Sequence, residues 1–168
     1  MTTPTLHTQR LTLRGPELSD AHLLADFYQS PRCQWIGGPL PRAEAGALIL
    51  KDIVGWDMDG HGMWTITQTD TGQPIGRTGI MVNPDWHEPE LAWHLFDGFE
   101  GHGYACEATH AARAHCQTVL NMPPLISGIH LNNHRSIALA LRLGAVLEST
   151  TPLFGDTYHL YRHPGAIA

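Results

Sequence analysis

The sequence of 168 residues is poor in positive charge. Its only lysine is Lys51, and ten lysines and arginines together face sixteen acidic residues, for a formal net charge of −6. No basic cluster occurs, which argues against nucleic acid as a partner. An acidic surface suits a cationic partner such as an amine. Cysteine is scarce too: Cys33, Cys106 and Cys116 are scattered and form no C-x-x-C pair, so they read as reduced thiols rather than a disulfide framework. No apolar run approaches the ~20 residues of a membrane span. Met1-Thr2-Thr3-Pro4 lacks the basic and apolar regions of a signal peptide, so a cytoplasmic location is expected. Repeats, low-complexity tracts and linkers are absent, and one domain over residues 1–168 is expected. A hydrophobic fraction of 42% with five tryptophans excludes a disordered chain.

What is present is an alternation of strand and helix signals. Gln9 to Arg14 alternates apolar and polar residues, as a half-buried strand does. Ser19 and Asp20 suit the N-cap of a helix carrying Leu23, Leu24, Phe27 and Tyr28 and stopping before Pro31. After the breaker Gly37-Gly38-Pro39, Pro41 suits the first turn of a second helix with Ala45, Leu48, Ile49, Ile53 and Trp56 at helical spacing. Met63–Gln68 and Ile75–Val82 read as a hairpin around Thr69-Asp70-Thr71-Gly72-Gln73. Asn83-Pro84-Asp85 turns again, and Glu90–Phe96 is the next strand. A helix from Tyr104 to about Leu120, a strand Leu125–His130, a helix Asn133–Leu143 ending at Gly144, and strands Val146–Thr150 and Thr157–Arg162 complete the chain. The order β-α-α-β-β-β-α-β-α-β-β predicts a mixed α/β domain. A parallel pair with a right-handed crossover is expected around the central helix.

Between the Glu90–Phe96 strand and that helix lies Phe99-Glu100-Gly101-His102-Gly103-Tyr104-Ala105-Cys106-Glu107-Ala108. A two-glycine turn feeding a helix leaves backbone N–H groups unpaired and aimed one way, at the positive end of the helix dipole. Such a turn is an anion site, most often for phosphate. His102, Cys106 and His110 follow at i, i+4 and i+8, but they span about 12 Å by helix rise, too far for one metal ion. No metal is expected.

This order of elements, with its motifs, resembles the GNAT acyltransferases, in particular their RimJ/RimL-like branch. Thr8-Gln9-Arg10-Leu11-Thr12-Leu13-Arg14 is similar to the opening T-x-R-L-x-L-R strand, and Thr71-Gly72-Gln73-Pro74-Ile75-Gly76 and Glu90-Leu91-Ala92-Trp93 follow in register. Gly101 to Ala108 matches G-x-G-Y-A-x-E-A, and Asn133-His134-Arg135-Ser136 with Leu143-Gly144 matches N-x-x-S…L-G. The resemblance implies a GNAT fold: a central, mostly antiparallel sheet with a splayed parallel strand pair and about four flanking helices. It implies acetyl-CoA as cofactor, its pyrophosphate on the amides of Gly101, His102, Gly103, Tyr104 and Ala105. The pantetheine arm would run along the Glu90–Phe96 strand, with Leu95 and Phe96 among its contacts, Asn133 touching the arm as it leaves the cleft and Ser136 also binding the cofactor. Two positions depart from the family pattern: Glu100 stands where a Gln or Arg is general, and Ala145 replaces the usual aromatic.

Acyl transfer to an amine needs a neutral amine, donors for the developing oxyanion and protonation of the departing thiolate. By the resemblance Glu90 is the base, with Glu88 and His87 in reserve, and Ser136 assists the leaving sulfur. The tyrosine many relatives use as the acid is replaced by Ala140, which cannot act. Tyr28, Trp35 and Glu88 are candidates to line the acceptor pocket. The expected activity is N-acetyl transfer to a protein N-terminal α-amine or a small-molecule amine by direct attack in a ternary complex. The protein would work as a monomer or homodimer, without nucleic acid or membrane. A non-catalytic CoA-binding regulatory or interaction module is the alternative.

Overall fold

The computed structural model describes residues 3–82, 88–153 and 155–165. Its strands are β1 Leu6–His7, β2 Leu11–Arg14, β3 Met63–Gln68, β4 Pro74–Met81, β5 Glu90–Leu95, β6 Ile126–His130, β7 Val146–Leu153 and β8 Asp156–Arg162. The α-helices are α1 Ala21–Phe27, α2 Arg42–Asp59, α3 Tyr104–Thr118 and α4 His134–Arg142. All eight strands form one sheet, ordered β1-β2-β3-β4-β5-β6-β8-β7. Every neighbouring pair is antiparallel except β5 and β6, so the expected mixed fold with one parallel pair is the fold adopted.

The short β1 carries too little pattern to read in advance, and it pairs with β2 at Leu6 and His7. The last hairpin is longer than expected, because β7 continues through Pro152 to Leu153. Proline reads as a strand breaker, but β7 is the outer strand of the sheet, where a missing N–H costs no ladder bond. The Asn83-Pro84-Asp85 turn and His87 lie outside the described residues.

Packing follows residue size. On one face, α3 lays Ala108, Ala112 and Cys116 against Leu11, Leu13, Ile66, Ile75 and Leu91, all fully buried. Small side chains at i, i+4 and i+8 let the helix approach the sheet closely. On the other face, Leu24 and Phe27 of α1 and Ile49 of α2 pack with Cys33 and Phe96. A third cluster joins Ile129, Ala140, Ala145 and Tyr161 under α4. Ala145, the position where relatives carry an aromatic, is thus a small residue in a tight core.

Two buried polar networks tie these layers together. Asp20 is the N-cap residue of α1, as expected, but its side chain accepts from Arg14 at 2.9 and 2.7 Å, Thr65 Oγ1 at 2.8 Å and the Glu17 N–H at 3.0 Å rather than capping that helix. Burial alone would raise its pKa, but these donors outweigh burial and hold it below the ordinary carboxylate value. In the second network Ser127 Oγ lies 2.5 Å from the Leu91 carbonyl and 2.9 Å from His163 Nε2. The single hydroxyl proton goes to the carbonyl, so Ser127 accepts from His163 Nε2–H, and Nδ1 faces Arg113 Nη1 at 3.5 Å. Burial, reinforced by Arg113, lowers the His163 pKa to about 4.

An unfolded histidine titrates near 6.5. The unfolded state therefore binds the extra proton first, and stability present above pH ~6.5 drains away as pH falls toward 4. The loss from this one group reaches about 3 kcal/mol at ~1.4 kcal/mol per pH unit. His163→Gln preserves a donor and an acceptor without titrating. Its urea-unfolding free energy, measured between pH 7 and 4.5, should fall less steeply than that of the parent. Identical slopes would show that His163 is not the group responsible.

Candidate active site

The parallel pairing of β5 with β6 is a single residue pair, Glu90 with Ile126. Past it the strands diverge, and side-chain bonds bridge them: the Ser127 hydroxyl donates to the Leu91 carbonyl, and the Glu90 carboxylate accepts from the Gly128 N–H. The Leu91 carbonyl thus faces β6, while the Phe96 N–H faces the other way and donates to Ile75 O at 2.9 Å. Backbone groups alternate with period two along a strand, so those of Trp93 and Leu95 face the gap. Of the two residues expected to pair with a pantetheine arm, Leu95 presents its backbone to the cleft and Phe96 does not. The Phe96 side chain is buried beneath α1 and α2.

At the end of β5 the chain enters the glycine turn. Gly101 and Gly103 have φ of +80° and +79°, the left-handed region that suits glycine. Gly103 is the N-cap of α3, and no side chain caps the helix. The first-turn amides therefore lack protein acceptors, and Gly101, His102 and Gly103 are exposed. The turn is held from below by residues distant in sequence. Glu107 accepts from Thr8 Oγ1 at 2.6 Å, from the Arg10 N–H at 2.9 Å and from Arg10 Nε at 2.7 Å. Arg10 Nη1 also donates to the His102 carbonyl at 3.0 Å, and its guanidinium sits 4.7 Å from the centre of the Tyr104 ring. This carbonyl contact turns the His102 peptide, so the loop is preshaped rather than floppy.

Glu100 does not oppose an anion here. It pairs with Arg32 and lies 3.7 Å from Arg135, while Arg32 is also 3.6 Å from Asp97. The segment from Ser30 to Gly38 is thereby anchored beside the turn at one end. Trp35, in the same segment, stacks on His130 of β6 with ring centres 4.3 Å apart.

Beneath that segment a cavity of about 460 Å³ runs from the β5–β6 gap to the α1–α2 side of the sheet. Its lining brings together Tyr28, Trp35, Glu90, Asn133 and Ser136, five residues singled out in the sequence. The Glu90 carboxylate accepts from the Gly128 N–H at 3.0 Å, which holds it at the root of the splay. Asn133 caps α4 by accepting from the Ser136 N–H at 3.3 Å, and this places Ser136 on the first turn, facing the cavity. Glu88 is elsewhere. Both of its oxygens engage Arg162, at 2.5 and 3.0 Å, and it takes no part in the cavity wall. Ala140 is buried in the α4 core, one turn beyond Ser136.

No local pattern announces the cavity's far end, where Asp52, Arg77 and His94 line the wall. His94 lies on the same face of β5 as Glu90 and stacks on Phe27 with centres 4.4 Å apart. Burial, with Arg77 and Arg32 nearby, pushes its pKa well below the ordinary value, so the ring is neutral. Among the described residues, no group of three or more His, Cys, Asp or Glu could hold a metal ion. No helix there is long and apolar enough to cross a membrane.

Residues 10–146 match the family model for the acetyltransferase (GNAT) domain. This chain belongs to the GNAT acetyltransferases. The uncharacterized N-acetyltransferase p20 of Bacillus licheniformis is 27% identical over 139 residues, covering 80% of this GNAT chain and 78% of that one. Among solved structures, an acetyltransferase from Agrobacterium tumefaciens strain C58 is 37% identical with a TM-score of 0.89, covering 98% of this chain and 96% of that one. RimL, the ribosomal L7/L12 alpha-N-protein acetyltransferase solved with coenzyme A, shares the fold at a TM-score of 0.80 and 18% identity, over 96% of this chain and 98% of that one. That neighbour is in keeping with the RimJ/RimL-like resemblance of this GNAT protein.

The bracing of the glycine turn yields a test that needs no ligand. Glu107→Gln keeps the shape but loses the charge and sets an amide donor against Arg10. Loss of the charged hydrogen bonds should cost about 1.5 kcal/mol, lowering the thermal midpoint by about 3–6 °C. Hydrogen exchange at residues 101–105 should quicken. Unchanged exchange there would mean that the turn holds its shape without Glu107.

Proposed function

We propose that the protein is an acetyl-CoA-dependent N-acetyltransferase that works by direct attack of an amine in a ternary complex. The observation that carries this reading is the cavity, in which Glu90, Asn133 and Ser136 meet the unpaired edge of β5. The residues present fit the cofactor. The α3 amides are uncapped and would receive the pyrophosphate, and the open backbone of Trp93 and Leu95 would pair with the amides of the pantetheine arm. When bound, acetyl-CoA supplies an activated acetyl thioester.

The protein's own residues do the rest. An α-amine has a pKa of ~8, against ~10.4 for a lysine, so a carboxylate base serves it more easily. Glu90 takes the proton from the attacking amine, directly or through one water, as the new C–N bond forms and the C–S bond breaks. The Ser136 hydroxyl forms no hydrogen bond to another described side chain, which leaves it free to donate to the departing sulfur. The thiolate then takes up one proton, so the products are the amide and the free thiol. Trp35, Ile36 and Gly37 supply one wall of the cavity in which the thioester would lie.

Thiol release with acetyl-CoA and a panel of amines tests the reading. Glu90→Gln should lower kcat by about 10²-fold or more, and Ser136→Ala should lower kcat while leaving the Kd for acetyl-CoA nearly unchanged. Gly103→Asp should abolish binding in isothermal titration, since it puts a side chain at a positive φ and a negative charge at the anion site. Binding without turnover across a broad panel would overturn catalysis in favour of a CoA-binding module.

A further inference from the structure

The cavity holds a cation that acetyl transfer does not use. Arg77 lines the wall with its side chain only 5% exposed. Its hydrogen bond to Asp52 runs through Nη2, and its Nε–H is buried with no partner. A guanidinium has five N–H donors in a rigid fork, and at Arg77 the Nε–H is the one left buried without an acceptor. A buried donor without an acceptor is costly, and an incoming oxyanion would remove that cost. His94 stands opposite Arg77 across the β4–β5 ladder, and its Nε2 is likewise buried without a partner. Tyr28 lines the same end of the cavity.

The register spaces this end from the base. Across β4 and β5, Arg77 pairs with His94, Gly79 with Ala92, and Met81 with Glu90. These three rungs share a face, because side chains two residues apart on a strand point the same way. The middle rung carries no side chain larger than a methyl, and the Gly62 carbonyl packs closely against Gly79. The backbones of Arg77 and Glu90 are therefore about 13 Å apart along the strands. Charge is balanced as well: Lys51 and Arg77 face Asp52 and Glu90 in the lining, with His94 neutral. A ligand carrying both signs keeps that balance, whereas a bare ammonium adds one positive charge and leaves the buried Arg77 Nε–H without an acceptor. Leu48, Met63, Ile80 and Met81 supply apolar wall for its body.

We propose that the acceptor is a small amine that also carries a carboxylate, an amino-acid-type zwitterion, its carboxylate docked on Arg77 and its amine directed to Glu90. The assignment rests on the acetyl-transfer reading and adds the class of acceptor to it.

Matched sets of acceptors read it directly: phenylalanine, phenylalaninamide and phenethylamine, with methionine and leucine sets and a series of ω-amino acids of increasing length. Within the best set, kcat/KM for the carboxylate-bearing member should exceed that of its amide by about tenfold or more. The same sets titrated into the CoA-loaded protein by calorimetry should give the same ranking in Kd, independent of turnover. Arg77→Gln leaves Asp52 buried and unpaired, so the double variant Arg77→Gln with Asp52→Asn is tested beside it, with circular dichroism and acetyl-CoA binding as checks of folding. In the folded variant the preference for carboxylate over amide should collapse toward one, through KM more than kcat. Amides or plain amines used as well as the carboxylates would overturn the docking on Arg77 and leave acetyl transfer standing. Thiol release with no member of any set, though acetyl-CoA binds, would instead overturn acetyl transfer itself.

Discussion

One interrupted ladder governs this protein. β5 and β6 meet as a parallel pair at Glu90 and Ile126 and then part, so the middle of an eight-stranded sheet contains a gap. Backbone groups that would pair in an ordinary sheet face that gap instead. The crossover between the two strands carries the glycine turn and α3, which brings the uncapped start of that helix to the end of β5. The Ser127 hydroxyl bonds to Leu91 O where the strands begin to separate, and His163 holds the hydroxyl in place. Chemistry and architecture therefore share one cause: a sheet that stops pairing at a defined residue.

The charges around the cleft are arranged in closed sets. Glu107 is met by Thr8 and Arg10, Glu100 by Arg32 and Arg135, Glu88 by Arg162, and Asp20 by Arg14. Each pairing keeps a carboxylate from acting as a stray base or from opposing an anion. Glu90 accepts from the Gly128 backbone N–H and, with Asp52, lines the cavity, where Arg77 is ion-paired with Asp52.

Much of this was legible in the sequence, and the reasons differ from element to element. The glycine turn could be read because its chemistry is local: two glycines and a helix start are enough. Glu90, Asn133 and Ser136 were legible through a resemblance that spans the chain, and the structure places them around one cavity. The direction of the Phe96 N–H, to Ile75 rather than the gap, was not legible, because it depends on the register of β5 with β4. Glu88 looked like a pocket residue by its nearness to Glu90, but nothing local announces Arg162, 74 positions later. Arg77, His94 and Asp52 read as ordinary hairpin, strand and helix residues, since their meeting depends on the register of β4 with β5 and on where α2 lies.

The clasp between Glu107 and the residues around Arg10 has a consequence for how the protein is made. The anion turn is a local motif, yet the bonds that shape it close a loop of 97 residues. Contacts of such high separation are costly in chain entropy and depend on the strands between them being in place. A nascent or partly folded chain can display the glycine motif without possessing the site. The ability to hold an anion there is a property of the finished sheet.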